Sequence, residues 1–284
     1  MPTILNGKEF AAICKAEIRR EVERLAAAGH RPGLAVVLVG ENPASKVYVR
    51  SKENDCRECG IYSAMYALPE ETTEEDLLAL LDVLNHDEKI HGVLVQLPVP
   101  EHIDPQKVIE AIDPIKDVDC FHPMNVGYLT TGIPRFAPCT PAGIVKLMAH
   151  YGIDPRGKHC VVIGRSNIVG KPMSLLLLQG NGTVTICHSG TKDLAAQTRQ
   201  ADILVSAVGK TGFVTADMVK EGAVVIDVAM NRNDQGKLCG DVCYDEVAPK
   251  CAAITPVPGG VGPMTRVMLL ENTLTACRLQ THGN

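Results

Sequence analysis

The sequence predicts two α/β domains, each built on a parallel sheet. Short apolar runs alternate with stretches of helical period along the whole chain, the pattern of strand–helix–strand units. A length of 284 residues suits one large domain or two ordinary ones. A segment rich in Pro, Gly and Thr, 123–143, separates two such alternating series.

The first series opens with a helix over 7–28, where Phe10, Ile13, Ile18, Val22 and Leu25 recur among charges. Residues 34–39 form a continuous apolar strand ending at Gly40. Asn42 and Pro43 then supply a cap and a first-turn proline for a helix over 43–59, which stops at Gly60. A strand over 62–68, a helix over 74–85, a buried strand over 92–97 and a helix over 105–112 follow. A connecting helix spans 141–151. The second series has strands at 161–163, 183–187, 203–207, 223–228 and 253–254. A glycine-rich run, 256–265, opens a final helix over about 264–278. The predicted division is 1–140 and 141–263, with the helix from 264 toward 284 packing back on the first domain.

Hydrophobic residues make up 45% of the chain, enough for a core, and the absence of Trp leaves that core aliphatic. A net charge of −5 argues against a broad nucleic-acid surface. Residues 1–6 carry no basic segment followed by a long apolar run, so neither a signal peptide nor a membrane span is expected, and a cytoplasmic location is. Eleven cysteines, an odd number, do not read as a secreted disulfide framework. Cys56 and Cys59 have the spacing of a zinc or redox pair, but no second pair matches it, so they read as reduced packing thiols.

The most informative stretch is 161–173. An apolar strand stops at Gly164, a loop runs through Gly170, and Pro172 takes the first helical position of the helix that follows. Strand, glycine turn and helix N-terminus together make a phosphate site, because backbone N–H groups and the helix dipole face the anion. Arg165 adds a planar, permanently charged fork of donors. A dinucleotide fingerprint has a second glycine where Ser166 stands, and an acid about 20 residues on for a ribose 2′-hydroxyl. The following strand ends instead in His188, Ser189 and Gly190. With no acid to repel a 2′-phosphate, and with Arg165, Ser166 and Ser189 to hold one, the coenzyme expected is NADP.

Tyr48 and Lys52 lie four residues apart on the helix after the first buried strand, and so share a face. Such a pair on an open helix is ordinarily just solvated. Here Gln96 ends another strand, and Asp119 sits in a loop that reaches the same rim. Converging on an apolar cleft, the four suit acid–base chemistry, since partial desolvation makes a lysine a usable proton donor and acceptor. Of Asp117 and Asp119, one can serve merely to turn the loop. No third ligand follows at useful spacing, so no metal is expected, and His122 reads as an ordinary polar loop residue.

Seven pieces, taken in order, then carry a resemblance: 39–45 (VGENPAS), 48–52 (YVRSK), 95–98 (VQLP), 116–119 (KDVD), 139–141 (CTP), 164–172 (GRSNIVGKP) and 256–265 (PVPGGVGPMT). The chain resembles the bifunctional methylenetetrahydrofolate dehydrogenase/methenyltetrahydrofolate cyclohydrolases of the FolD type. The resemblance implies an N-terminal three-layer α/β substrate domain and a C-terminal Rossmann-like NADP-binding domain. It implies oxidation of 5,10-methylenetetrahydrofolate by NADP+, then hydrolysis of the methenyl cation to 10-formyltetrahydrofolate. By motif match, Lys52 is the general acid/base, Tyr48 orients the folate, Gln96 bonds near Lys52, and Asp119 grips the pterin. Pro258 and Gly262 line the folate and nicotinamide side, and the backbone at Met230 faces the nicotinamide. Gly164, Arg165, Ser166 and Ser189 hold the coenzyme phosphates. A homodimer and tetrahydrofolate substrates, polyglutamylated ones included, are further expectations.

Some positions depart from the family pattern. Cys120 follows Asp119 where Gly is usual, Ala229 precedes Met230 where Gly is common, and Arg266 replaces a small or aliphatic residue. Glu53, Asn54 and Asp55 stand where a second lysine is often found. Two other readings compete. A shikimate-dehydrogenase-like oxidoreductase would also place a Lys and an Asp in a cleft. A catalytically silent NADP-binding sensor would need none of Lys52, Gln96 and Asp119.

Overall fold

The computed structural model describes residues 1–281, the side chain of Ala44 apart. The chain runs β1 (Thr3–Ile4), α1 (Gly7–Ala27), β2 (Gly33–Val39), α2 (Pro43–Cys59), β3 (Tyr62–Leu68), α3 (Glu74–His86), β4 (Gly92–Val95) and α4 (Pro105–Ala111). It continues through α5 (Pro123–Thr130), α6 (Cys139–His150), β5 (His159–Ile163), α7 (Gly170–Gln179), β6 (Thr183–Cys187), α8 (Leu194–Thr198), β7 (Ile203–Ser206) and β8 (Val224–Asp227). The hairpin β9 (Asn231–Arg232) and β10 (Leu238–Cys239), then α9 (Tyr244–Val247), β11 (Ala253–Ile254) and α10 (Val261–Thr281) complete it. Of the expected final stretch, 282–284 lies outside the described residues.

Two compact units emerge. One comprises Met1–Ala12 and Pro138–Met268; the other comprises Ile13–Ala137 and the chain from Leu269 onward. The first twelve residues therefore leave the domain in which the sequence reading placed them. The reason is β1, a two-residue strand that pairs in parallel with β11, Thr3 against Ala253 and Ile4 against Ile254. Thr3 N–H donates to the Ala252 carbonyl at 2.8 Å, and Leu5 N–H to that of Ile254 at 2.9 Å. So short a strand has no period for a sequence to display.

In the Ile13–Ala137 unit the sheet order is β3-β2-β4, all parallel. Every residue of β2 is buried, as a central parallel strand requires. Its core gathers Val37 and Val95 from the sheet with Leu77 and Leu81 of α3 and Val108 of α4. The capping residues behave as their chemistry dictates: Asn42 Oδ1 accepts from Ser45 N–H, Thr73 Oγ1 from Asp76 N–H, and Asp104 Oδ1 from Gln106 N–H. The segment after Asp119, expected as open loop, holds α5 instead, and His122 caps it by accepting from Met124 N–H. Late in α10, Asn272 Nδ2 donates to the carbonyls of Val118 and Ala137 at 2.8 and 3.0 Å.

In the other unit six parallel strands run β1-β11-β8-β7-β5-β6. The chain leaves β5 to one side for β6 and returns on the other for β7. The loop after β5 therefore opens at the switch point of a doubly wound sheet, where such folds bind ligands. No helix among the described residues is long and apolar enough to cross a membrane.

Candidate active site

Helix α2 explains why a lysine is held at the end of the three-stranded sheet. Its buried face follows Ser45, Val49, Cys56 and Cys59, all at most 5% exposed. Those spacings are four, seven and three, and Lys52 falls inside the gap of seven, three residues after Val49 and four before Cys56. It thus occupies a stripe position and is half-buried, not a solvated surface residue. Its Nζ donates to Gln96 Oε1 at 3.0 Å. Gln96 continues the line of β4, with its N–H donating to the Val37 carbonyl at 2.8 Å, and its Nε2 donates to the Leu97 carbonyl at 2.7 Å. Tyr48, one turn back on α2, is exposed.

The Cys56 thiol beneath Lys52 is fully buried, and burial pushes it up to about 12. Burial likewise pushes Cys59 up to about 11. Both are inert packing groups.

The two aspartates of the following loop separate in role. Asp117 is 2% exposed and accepts from Phe121 N–H, His122 N–H and Asn125 Nδ2 at 3.2, 2.8 and 2.9 Å. Burial raises it above the usual carboxylate range despite those donors. It builds the turn. Asp119 is half-buried and lines a small crevice with Leu97, the residue after Gln96, and Phe121. Cys120 between them and the helix has φ 61°, the left-handed region, which explains the glycine usual at that position.

On the coenzyme side, Gly164 has φ 128°, and a Cβ there would meet the Ala207 carbonyl oxygen at 2.6 Å. A Cβ on Gly170 would meet the Gly164 carbonyl oxygen at 2.3 Å. The turn closes only without side chains at both places. Ser166 does more than the sequence suggested: its Oγ accepts from Val169 and Gly170 N–H at 3.2 and 3.3 Å, fastening the start of α7. Its hydroxyl proton remains available as a donor. Arg165 is exposed and its guanidinium has no partner among the described residues. Ser189 stands at the tip of a turn after β6, in which His188 N–H donates to Thr191 Oγ1 and Gly190 N–H to His188 Nδ1. No carboxylate lies between Cys187 and Lys192. Close-approach glycines, an unspent arginine and that missing acid fit a 2′-phosphorylated dinucleotide.

Met230 is exposed after β8, and a Cβ on Gly262 would come within 3.3 Å of its Sδ. The loop bearing Pro258 is buttressed from behind: Lys8 N–H donates to the Gly259 carbonyl at 2.9 Å.

One group that the sequence reading missed ties these loops together. Asp241 is fully buried, and its Oδ2 accepts from Ser206 Oγ at 2.9 Å and from Val208 and Gly209 N–H at 2.8 and 3.3 Å. Its Oδ1 accepts from Lys210 N–H at 2.7 Å and Asn231 Nδ2 at 3.1 Å. Asp227, at the end of β8, accepts in turn from the N–H groups of Ala229, Asp241 and Val242. Burial pushes it up to about 6. The two carboxylates frame the carboxyl ends of β7 and β8, where Met230 emerges. Gly240, just before Asp241, packs against the other carboxylate, and a Cβ there would strike Asp227 Oδ2 at 1.9 Å.

Comparison with known proteins gives consistent results. Residues 5–119 match the family model described as tetrahydrofolate dehydrogenase/cyclohydrolase, catalytic domain. Residues 138–281 match that for tetrahydrofolate dehydrogenase/cyclohydrolase, NAD(P)-binding domain. The chain is 60% identical to the bifunctional protein FolD of Moorella thermoacetica, covering 97% of this chain and 98% of that one. The fold is similar to the crystal structure of the bifunctional enzyme FolD from Campylobacter jejuni, with TM-score 0.97, 51% identity, and 99% and 100% of the two chains covered. It is also similar to the Trypanosoma brucei methylenetetrahydrofolate dehydrogenase-cyclohydrolase complexed with NADP cofactor and inhibitor, with TM-score 0.95, 39% identity, and 99% and 98% covered.

Proposed function

The chain belongs to the tetrahydrofolate dehydrogenase/cyclohydrolase family, and from that premise we propose how its residues divide the work. The protein is a bifunctional one-carbon folate enzyme. It oxidises 5,10-methylenetetrahydrofolate to 5,10-methenyltetrahydrofolate with NADP+, then hydrolyses the methenyl compound to 10-formyltetrahydrofolate. The shikimate-dehydrogenase-like and silent-sensor readings are set aside.

The Ile13–Ala137 unit is the folate side and the other unit the coenzyme side. NADP+, when bound, supplies the hydride acceptor. Gly164 and Gly170 let the backbone approach its phosphates, Arg165, Ser166 and Ser189 hold the 2′-phosphate, and Met230 faces the nicotinamide. Hydride transfer needs alignment and no acid or base. Asp119 orients the pterin through its N–H donors, a charge-assisted contact. Tyr48 supports the folate ring, and Pro258 and Gly262 line the nicotinamide side beside Met230.

Hydrolysis begins with an electrophilic cation, so water needs only a placed proton acceptor. Lys52 moves that proton at Nζ. Gln96 positions it: a neutral amide orients the amine without adding a counter-charge. The observation that carries this reading is the 3.0 Å bond between Lys52 Nζ and Gln96 Oε1 at the carboxyl end of the sheet. We further propose a homodimer, acceptance of polyglutamylated folates, and a cytoplasmic location. None of the eleven cysteines forms a disulfide among the described residues, which suits a reducing compartment.

The test is Lys52→Met assayed for both reactions, NADPH formation from methylenetetrahydrofolate and disappearance of supplied methenyltetrahydrofolate. Loss of hydrolysis by about a thousandfold, with a much smaller loss of oxidation, is expected of a general acid/base. Equal retention of both activities overturns the assignment.

A further inference from the structure

At the amino ends of β2, β3 and β4, away from Lys52 and Gln96, lies a cavity of about 830 Å³. His91 precedes β4 and Gln96 follows it, and five residues at about 3.3 Å each set the two ends about 16 Å apart. The cavity's chemistry is unlike that of the catalytic end.

Two of its lining residues are nine-tenths buried and retain unspent donors. Lys116 is 5% exposed, and its Nζ donates to the Leu84 and Asp87 carbonyls at 3.0 and 2.9 Å. That leaves one of the three ammonium protons without an acceptor. His91 is 7% exposed, and its Nδ1 accepts from Gly33 N–H at 3.1 Å. The ring proton is therefore on Nε2, which has no partner among the described residues. Burial lowers both groups from their ordinary values, the Lys116 and His30 charges lower His91 further, and the nearby carboxylates, Asp87 for both and Asp113 for Lys116, only partly offset this.

Arg31 and Lys89 add exposed positive charge at the rim, against Glu88 and Asp113. Asp113 is partly engaged, its Oδ1 accepting from Ile115 N–H at 3.0 Å. Tyr62 contributes a ring that is 41% exposed. A metal does not fit, since no group of three His, Cys, Asp or Glu among the described residues is placed to hold one.

We propose that this cavity is a binding site for a small oxyanion-bearing molecule, a phosphate ester or polycarboxylate, whose anionic group takes the spare protons of Lys116 and His91. The remaining volume, far larger than one oxyanion, accepts an apolar or aromatic body against Tyr62. The site is independent of the folate reaction.

The test is calorimetric titration of the whole protein, saturated with NADP+ so that the coenzyme site is closed to phosphates. Inorganic phosphate, citrate and adenosine monophosphate are the probes. Lys116→Met removes the central donor. Because a buried position can disturb folding, Lys89→Glu at the exposed rim is the second variant, and both enzymatic rates should stay unchanged in it. Submillimolar binding of a phosphate ester or of citrate, weakened about tenfold or more by Lys89→Glu, supports the site, and the probe that binds identifies the class. Absence of binding by all three probes at millimolar concentration, or binding that Lys89→Glu leaves untouched, overturns it.

Discussion

Lys52 and Gln96 meet through a single polarity. The Gln96 amide spends its Nε2 on the Leu97 carbonyl at 2.7 Å, so only Oε1 is left to face the Lys52 ammonium, at 3.0 Å. An amide held this way accepts from the lysine and carries no charge. Gln96→Glu puts a carboxylate in the same place, which favours the protonated lysine and idles a proton acceptor. The expected outcome is a fall in cyclohydrolase kcat by about a hundredfold, with the protein's melting temperature kept. Initial rates on supplied methenyltetrahydrofolate across a pH series check it, and a rate equal to that of the unmodified enzyme would falsify the positioning role.

Arg165 is the one charged group of the glycine turn, and no carboxylate competes with it beyond β6. Arg165→Ala should raise KM for NADP+ by about 10- to 100-fold, the worth of a charge-assisted hydrogen bond, and leave KM for NAD+ nearly unchanged. Steady-state kinetics with both coenzymes decide it. Parallel increases in the two KM values would remove the 2′-phosphate from the account.

Asp241 satisfies four donors of the β7 side, from Ser206, Val208, Gly209 and Lys210, and one from Asn231. Asp241→Asn turns an N–H₂ toward backbone N–H groups, and each buried donor left unmatched costs about 1–3 kcal/mol. The loops that flank Met230 should relax. Dehydrogenase kcat/KM for NADP+ should fall at least tenfold. Hydrolysis of supplied methenyltetrahydrofolate should stay within about twofold, because Lys52 and Gln96 belong to the other unit. Matching losses in the two reactions would mean general damage and sink the idea.

Asp227 links stability to pH. Burial lifts its carboxyl from 3.8 in the unfolded chain to about 6 in the fold, against three N–H donors that pull the other way. Between those values the folded protein binds the proton that the unfolded chain has shed, so stability decreases as pH rises through the window. Relative to Asp227→Asn, the native protein should lose about 2–3 kcal/mol from about pH 4 to about pH 6. Urea unfolding at several pH values measures this, and superimposable slopes for the two proteins would refute it.

What the sequence could show follows from distance along the chain. Helix α2 was readable because its cap, its proline and its stopping glycine are local, and the Lys52–Gln96 pair because Lys52 sits mid-way along that helix and Gln96 directly follows a well-marked strand. Helix α5 was hidden by Pro123, Gly127 and two threonines, which look like loop until His122 caps them. Ser166 was read only as a phosphate donor, since nothing local says that its oxygen is taken by Val169 and Gly170. Asp241 was invisible because its partners are spread over 206–231 and meet only when three loops fold together. Strand β1 is the extreme of this, a pairing of Thr3 with Ala253.

That pairing orders events in time during synthesis. Thr3 and Ile4 are translated long before β11 and have no partner strand until Ile254 has been made. At about 5–20 residues per second the wait is roughly 10–50 s. Until then the edge of the sheet beside β11 does not exist, and Leu5, fully buried in the finished protein, lacks that cover in the nascent chain. The coenzyme half is thus translated in two pieces, with the folate half's sheet made between them.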